Sequence, residues 1–134
     1  MVEDTGLRSN LVRRDIGTVD IVPGCGGQIF NIFNRLNVPL TKLELAYCVF
    51  PPGETAEEHR HLWTEEIYYV VSGTGSVRVD DESYRVEKGT SIALPVGVWH
   101  QMVNDSAELL CFVSVNSCPY DPQDVHHRGQ AEPV

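Results

Sequence analysis

The chain has few basic residues, and this shortage limits the partners that it can bind. Lysines and arginines number 10 against 19 aspartates and glutamates in a chain of 134 residues, so the formal net charge is −9. A surface of this sign repels phosphate backbones and anionic lipid headgroups. The composition therefore argues against binding to nucleic acid or to a membrane.

The chain also lacks a long apolar run. No stretch contains about 18 uninterrupted apolar residues, the length that suggests a membrane-spanning helix. The N-terminus, MVEDTGLRSNLVRRD, has acidic residues and no apolar segment before its arginines. We therefore expect a protein of the cytoplasm, and a chain of this length is expected to form one domain with one modest core.

The cysteines show no C-x2-C pairing of the kind that binds zinc. Two of them, Cys48 and Cys111, lie in apolar runs, where a free thiol behaves as a small hydrophobic residue. We therefore expect buried, reduced thiols and no cysteine metal site for the whole set: Cys25, Cys48, Cys111 and Cys118.

Helical periodicity is absent, and short alternating runs rich in Val, Ile, Tyr and Phe recur between turn signals instead. This pattern predicts an all-β domain. The predicted strands are 28–36, 41–50, 56–61, 66–71, 75–80, 83–87, 91–94, 98–104 and 108–116. The first 25 and the last 17 residues are polar or rich in proline, so we expect them to form arms that lie on the barrel or are partly disordered.

Three histidines and one glutamate have the spacing of a metal site. His59 and His61 are two residues apart, so on a strand both imidazoles leave the same face, about 6.6 Å apart along the chain. Glu66 opens the next apolar run after a connection long enough to reverse the chain. His100 follows a Pro-x-Gly corner that fixes where the next strand starts.

These four side chains make a mixed nitrogen and oxygen ligand set. Such a set suits Fe, Mn, Ni, Co, Zn or Cu and is ill suited to Ca or Mg. We predict one divalent transition-metal ion, and an ion that prefers six ligands keeps two open positions. The alternative is a set of hydrogen-bonded polar residues without metal.

Two segments resemble the paired motifs of the cupin superfamily. Residues 53–73 match G-x5-H-x-H-x4-E-x6-G, and residues 89–104 match G-x5-P-x-G-x2-H-x3-N, with every fixed position filled. The fixed positions are Gly53, His59, His61, Glu66, Gly73, Gly89, Pro95, Gly97, His100 and Asn104. The chain is thus identified as a small single-domain cupin.

The resemblance implies a double-stranded β-helix, which is a jelly-roll barrel, in one domain of residues 1–134. The conserved type of barrel covers about 41–116, with N- and C-terminal arms packing on it. The resemblance also implies pairing of two copies as a homodimer through their outer sheets, and the ligand set resembles that of cupin dioxygenases, which favours iron or manganese.

Strand parity separates the candidate residues around the metal. Glu65 and Glu66 point to opposite faces, and only Glu66 has the motif spacing, so we expect Glu65 to face outward. Tyr68 shares the parity of Glu66, and we take it as the candidate catalytic residue, because a buried hydroxyl can hydrogen-bond a ligand or a metal-bound water. Three apolar residues can line the same pocket: Met102, Val70 and Val98. For the two valines, packing in the barrel core is the simpler role.

Other polar and aromatic residues receive structural roles. The sequence does not decide which face of strand 41–50 looks inward, and we read Glu44 as an exposed charge, with a pocket acid as the alternative. We expect His126 and His127 to be solvated, because they lie in a proline-rich arm. We expect solvation or packing against an arm or a second subunit for Arg60, Trp63 and Trp99.

Fold alone does not give function. Our first hypothesis is a metal-dependent enzyme that acts on a small molecule by dioxygenase-like chemistry at Fe(II) or Mn(II). The two open positions on the metal can hold a bidentate substrate, or one substrate oxygen and O2. One alternative is a redox-neutral isomerase, epimerase, lyase or polyketide-type cyclase, in which the ion polarises a carbonyl. A second alternative is a non-catalytic module that binds a small ligand.

Overall fold

The computed structural model describes residues 12–24, 26–117 and 122–129. In these ranges the chain is all-β, as predicted, with short 3-10 helices at Ile16–Thr18 and Pro122–Asp124. The strands are β1 Ile21–Pro23, β2 Gln28–Phe33, β3 Leu43–Phe50, β4 His59–Arg60, β5 Glu66–Ser72, β6 Thr74–Val79, β7 Glu82–Glu87, β8 Ser91–Leu94, β9 His100–Val103, β10 Leu110–Ser117 and β11 His126–His127. No helix in the described part of the chain is long and apolar enough to cross a membrane.

The strands form two antiparallel sheets that face each other as a jelly-roll barrel, which confirms the predicted fold. One sheet has six strands in the order β1-β2-β3-β10-β5-β8, and the other has five in the order β11-β4-β9-β6-β7. The sequence did not predict β1 or β11. Each is only two or three residues long and is defined by pairing with a distant partner, β2 for β1 and β4 for β11.

Strand β2 ends three residues before its predicted end, because a turn begins at Asn34. The amide of Leu36 donates to Asn34 Oδ1 at 2.8 Å, and the amide of Val38 donates to the carbonyl of Asn34 at 3.1 Å. An asparagine side chain that hydrogen-bonds the backbone two residues later is a typical turn former. Consequently Arg35 and Leu36 lie in an exposed turn and not in the sheet.

The register of the six-stranded sheet decides which face of β3 looks inward. Cys48 lies opposite Phe112, which in turn lies opposite Val70 on β5, and all three side chains are buried. The inward face of β3 is therefore the one that carries Cys48 and Glu44. Burial raises the pKa of the Cys48 thiol, and both Cys48 and Cys111 are free and buried as expected. Cys25 and Cys118 lie outside the described residues.

The outer face of the same sheet is apolar. Tyr47, Val113 and Tyr69 form one cross-strand row, and Val115 and Ile67 form part of the next. Half of the surface of Ile67 and of Tyr69 is exposed, at 50% and 49%. This sheet therefore presents aromatic and aliphatic side chains to its surroundings as well as to the core.

Asn104, the last fixed position of the second motif, has a structural role. Its amide nitrogen donates to the carbonyls of Phe50 at 2.8 Å and Glu108 at 2.7 Å, while its side-chain oxygen accepts from the amide of Ser106 at 3.0 Å. The side chain is fully buried. Asn104 thus ties the turn after β9 to the end of β3.

Candidate metal centre

The structure brings together the four residues that the sequence predicted as ligands. His59 lies directly opposite His100 where β4 pairs with β9, His61 follows β4, and Glu66 begins β5. One donor atom from each lies within 4.8 Å of the donor atoms of the other three. All four side chains are buried, with exposures between 2% and 7%. A cluster of this kind can hold one metal ion.

Backbone carbonyls fix the orientation of all three imidazoles. The Nδ1 atoms lie 2.8 Å from the carbonyl of Glu57 for His59, 2.7 Å from that of Asp124 for His61 and 3.1 Å from that of Val98 for His100. A carbonyl accepts and never donates, so each Nδ1 carries the proton. Each Nε2 is then left as a lone-pair donor, which is the arrangement that metal-binding histidines adopt.

Two of these Nε2 atoms converge on one carboxylate oxygen. Glu66 Oε1 lies 3.0 Å from Nε2 of His61 and 3.0 Å from Nε2 of His100. Within the described residues, no group is aligned to hydrogen-bond His100 Nε2, including that carboxylate. Two such nitrogens and one anionic oxygen, buried at this distance, repel each other unless a proton or a metal ion lies among them. The donor set therefore fits a transition-metal ion.

The pKa values of Glu66 and His61 indicate the same demand for positive charge, whereas that of His59 does not. Burial alone would raise the pKa of Glu66, but the imidazoles of His100 and His61 hold it well below the usual glutamate range. Burial alone would lower the pKa of His61, but its bond to Glu66 raises it above the ordinary value. Burial, reinforced by the neighbouring His100, lowers the pKa of His59 to about 4.

The second oxygen of Glu66 is held by residues that the sequence did not single out. Ser114 Oγ lies 3.4 Å from Glu66 Oε2, and the amide nitrogen of Asn116 donates to the same oxygen at 2.8 Å once the amide is oriented to match its neighbours. Both project inward from β10, and Asn116 lies opposite Glu66 in the register. The available signal was the alternation of the polar residues Ser114 and Asn116 with valines in the second half of the strand.

Tyr68 lies beside the cluster, as its parity predicted. Its hydroxyl is 3.5 Å from Glu66 Oε1, and its ring is buried against Phe112. Tyr68 and Met102 line the cavity next to the cluster. Val70 and Val98 pack in or against the core, the simpler role considered for them. Glu65 is exposed, in agreement with the prediction.

A cavity of about 350 Å³ extends from the cluster toward the surface. Its wall is mostly apolar and includes Ile29, Phe50 and Phe112, and its outer rim includes the exposed turn with Arg35 and Leu36. This volume is at the small end of the range of about 300–1,000 Å³ that is typical of small-ligand pockets.

The reading of Glu44 as an exposed charge was wrong. Glu44 is half-buried and lines the cavity. The register explains why, because Glu44 lies opposite Asn116, and Asn116 lies opposite Glu66. The three side chains therefore share one inward row.

The expectation of solvated histidines in the C-terminal arm was also wrong. His126 is buried and His127 half-buried, because together they form β11, which pairs with β4 beside His59 of the cluster. The two tryptophans pack against this arm, as expected. The ring of Trp63 lies 6.3 Å from that of His126, and Arg60 and Arg128 stack on Trp99 with their guanidinium carbons 4.7 Å and 4.4 Å from the ring centre.

The comparisons with known proteins match the part of the chain that contains this cluster. A family model described as Cupin domain matches residues 46–116. An uncharacterized protein of Methanocaldococcus jannaschii is 32% identical over 83 residues, which is 62% of this chain and 66% of that protein. A gentisate 1,2-dioxygenase of a Ralstonia species is 31% identical over 87 residues, which is 62% of this chain and 24% of the dioxygenase.

One solved structure resembles nearly the whole chain. The polyketide cyclase RemF from Streptomyces resistomycificus has a TM-score of 0.74 at 22% identity, covering 91% of this chain and 88% of the cyclase. At this identity the likeness concerns the fold. The chain spans less than two thirds of the length of the two curated relatives, and the range matched by the family model contains the four clustered residues but not the C-terminal arm.

Proposed function

Because the chain belongs to the cupin domain family, we propose that it is a metal-dependent enzyme acting on an apolar, oxygenated small molecule. One divalent transition-metal ion would be held by His59, His61, Glu66 and His100. Two features together carry the proposal. The first is a buried cluster in which three Nε2 atoms are left as lone-pair donors beside one carboxylate, and the second is a mostly apolar cavity that opens directly onto this cluster.

The charges around the cavity narrow the class of substrate. Of the described residues that line it, Arg35 is the only lysine or arginine, while Glu44 and Glu66 are both acidic. A phosphorylated sugar carries two negative charges and would require several cationic donors. A neutral or singly charged molecule with an apolar body and adjacent hydroxyl or keto oxygens suits this wall better. Hydroxylated aromatic acids and aromatic polyketides have this chemistry.

Dioxygenase-like chemistry is the first choice within this class. Gentisate is a dihydroxylated aromatic acid, and the gentisate dioxygenase match covers 62% of this chain. A dioxygenase places both atoms of O2 in its product and so needs no separate reductant. The bound iron or manganese would supply Lewis acidity and redox capacity. The protein would orient the substrate between apolar walls, and the hydroxyl of Tyr68 would hold or move a proton at the closed end of the cavity.

A redox-neutral cyclisation is the second candidate. It is favoured by the sequence match to the polyketide synthase protein CurC of Streptomyces cyaneus, which is 28% identical over 79 residues, 59% of this chain and 51% of that protein. The same ion would then polarise a carbonyl, and Tyr68 would serve the proton transfers that ring closure requires. Both candidates use the same cavity and the same ligands, and they differ in whether oxygen is consumed.

An oxygen balance separates these two reactions. Protein loaded with Fe(II) or Mn(II) would be incubated with gentisate, with catechol and with a polyphenolic polyketide, in air and without oxygen. Oxygen uptake, with labelled O2 atoms recovered in the product, is the expected result. Turnover of a probe without oxygen would support the cyclase-like alternative instead. Binding of these probes with no turnover under either condition would indicate a ligand-binding module and contradict the proposed activity.

We also propose that two copies pair through the outer face of the six-stranded sheet. The two adjacent cross-strand rows that contain Tyr69 and Ile67 are apolar along several strands, and a stable interface buries about 800 Å² on each partner. Light scattering should give the mass of a dimer. Tyr69→Asp should shift it to monomer, while Val96→Asp, which alters an exposed turn residue, should not. A monomeric wild-type protein would contradict this pairing.

A further inference from the structure

We infer that the C-terminal arm, residues 122–127, is part of the metal centre, with Asp124 as a positioning residue that holds His61 and the loop between two ligands. This inference rests on the proposed metal site and adds to it a segment outside the range that the family model matches. The arm supplies no ligand of its own to the cluster, and its effect is exerted through residues 61–66.

The carboxylate of Asp124 binds the ligand loop directly. It accepts hydrogen bonds from three consecutive backbone amides, those of Leu62 at 2.7 Å, Trp63 at 3.1 Å and Thr64 at 2.9 Å. These amides lie in the only stretch of chain that separates the ligands His61 and Glu66. The Asp124 side chain is fully buried, so water does not compete for these bonds, and loss of the carboxylate would leave three donors unpaired.

The backbone of Asp124 acts on the ligand itself. Its carbonyl accepts the Nδ1 proton of His61 at 2.7 Å, which leaves Nε2 directed at Glu66 and the rest of the cluster. The adjacent Val125 lines the cavity. Asp124, the last residue of one short 3-10 turn, therefore fixes the loop and the tautomer of His61, and the residue after it forms part of the cavity wall.

A positioning role predicts reciprocal coupling. If a docked arm strengthens metal binding, then a bound metal must strengthen docking of the arm by the same factor. Other contacts also hold the arm, among them the ion pair of Arg128 with Glu58 and the stacking of Arg128 on Trp99. These lie away from His61, so they offer a control that loosens the arm without touching the ligand.

The test uses Zn²⁺ as a diamagnetic probe and the full-length chain. Asp124→Ala should weaken Zn²⁺ binding about 10–100-fold, the usual effect of removing an outer-shell partner. In the zinc-loaded protein the Nδ1 proton of His61 should lose its protection from solvent exchange in NMR spectra. Asp124→Asn keeps one acceptor oxygen and should recover part of the affinity. Arg128→Gln loosens the arm but removes no group that contacts His61, so it should weaken Zn²⁺ binding much less than Asp124→Ala and leave the His61 proton protected.

A measurement on the wild-type protein covers the case in which Asp124→Ala does not fold. Zinc should slow amide hydrogen exchange across 122–127, a segment that contains no ligand. Unchanged exchange there, or an Asp124→Ala protein that binds Zn²⁺ as tightly as wild type with its His61 proton still protected, would overturn the inference. A wild-type protein that binds no Zn²⁺ at all would instead overturn the metal site itself, so the two failures are distinct.

Discussion

Metal affinity should fall in acid with a slope that depends on which histidines still hold a proton. Burial and the neighbouring His100 lower the pKa of His59 to about 4, so above about pH 5 its Nε2 is already free to bind. The pKa of His61 is raised instead, because its bond to Glu66 outweighs its burial. An incoming ion must therefore displace the proton of His61 but not one from His59.

The size of the effect follows from counting protons. Each proton that the metal displaces weakens apparent binding about tenfold per pH unit. Three ordinary imidazoles would give a loss of about a thousandfold per unit below their common pKa of about 6.5. Since His59 does not compete in this range, we expect about tenfold to a hundredfold per unit between pH 6 and pH 5.

Equilibrium dialysis of Zn²⁺ over this pH range, with circular dichroism at each point to check folding, measures the slope. His100→Ala should bind more weakly and lose the metal at a higher pH, because the remaining ligands compete less well with protons. A slope near a thousandfold per unit would mean that the pKa of His59 is not depressed. A flat curve down to about pH 4, where free imidazole is almost fully protonated, would contradict histidine ligation.

Three further substitutions test the site and its frame. Glu66→Gln should weaken Zn²⁺ binding by about 100-fold or more. Its neighbour Glu65 is exposed, so Glu65→Gln should bind Zn²⁺ normally in the same dialysis. Equal losses of affinity would mean that the register of β5 is misread. Gly73→Ala should lower the urea midpoint of unfolding more than Gly89→Ala. Both glycines have a positive φ, but only at Gly73 would an added Cβ overlap a backbone carbonyl. Equal losses of stability would contradict this steric argument. Asn104→Ala should lower the free energy of unfolding by about 2–4 kcal/mol, because two buried backbone carbonyls lose their hydrogen-bond donor. A loss below about 0.5 kcal/mol would show that these bonds contribute little to stability.

The sequence predicted the cluster because its spacing constrains the backbone locally. Alternation along a strand separates Glu66 from Glu65, and two-residue spacing places His59 and His61 on one side. Each of these relations extends over a few residues only. The turn glycines and the corner before His100 then set where each strand begins, so the four-residue cluster could be predicted without knowledge of the sheet order.

The features that the sequence did not predict depend on contacts between distant segments. The inward face of β3 could not be assigned because apolar residues occupy both of its faces, and only the register with β10 brings Glu44 into the cavity. The arm gave no periodic signal, because β11 is two residues long and exists through its pairing with β4. Asp124 was not recognised for the same reason, since its partners lie about 60 positions earlier in the chain.

The two oxygens of Glu66 are not equivalent, and this inequality bears on how many coordination sites remain for reactants. Ser114 and Asn116 occupy Oε2, while Oε1 alone faces the imidazoles. We therefore expect a monodentate carboxylate and four protein donor atoms in total. A bidentate carboxylate would occupy a fifth site and leave room for a single incoming atom on a six-coordinate ion. By hydrogen-bonding Oε2, Ser114 and Asn116 would keep two coordination sites of the ion open. Two open sites are the minimum that a chelating substrate needs.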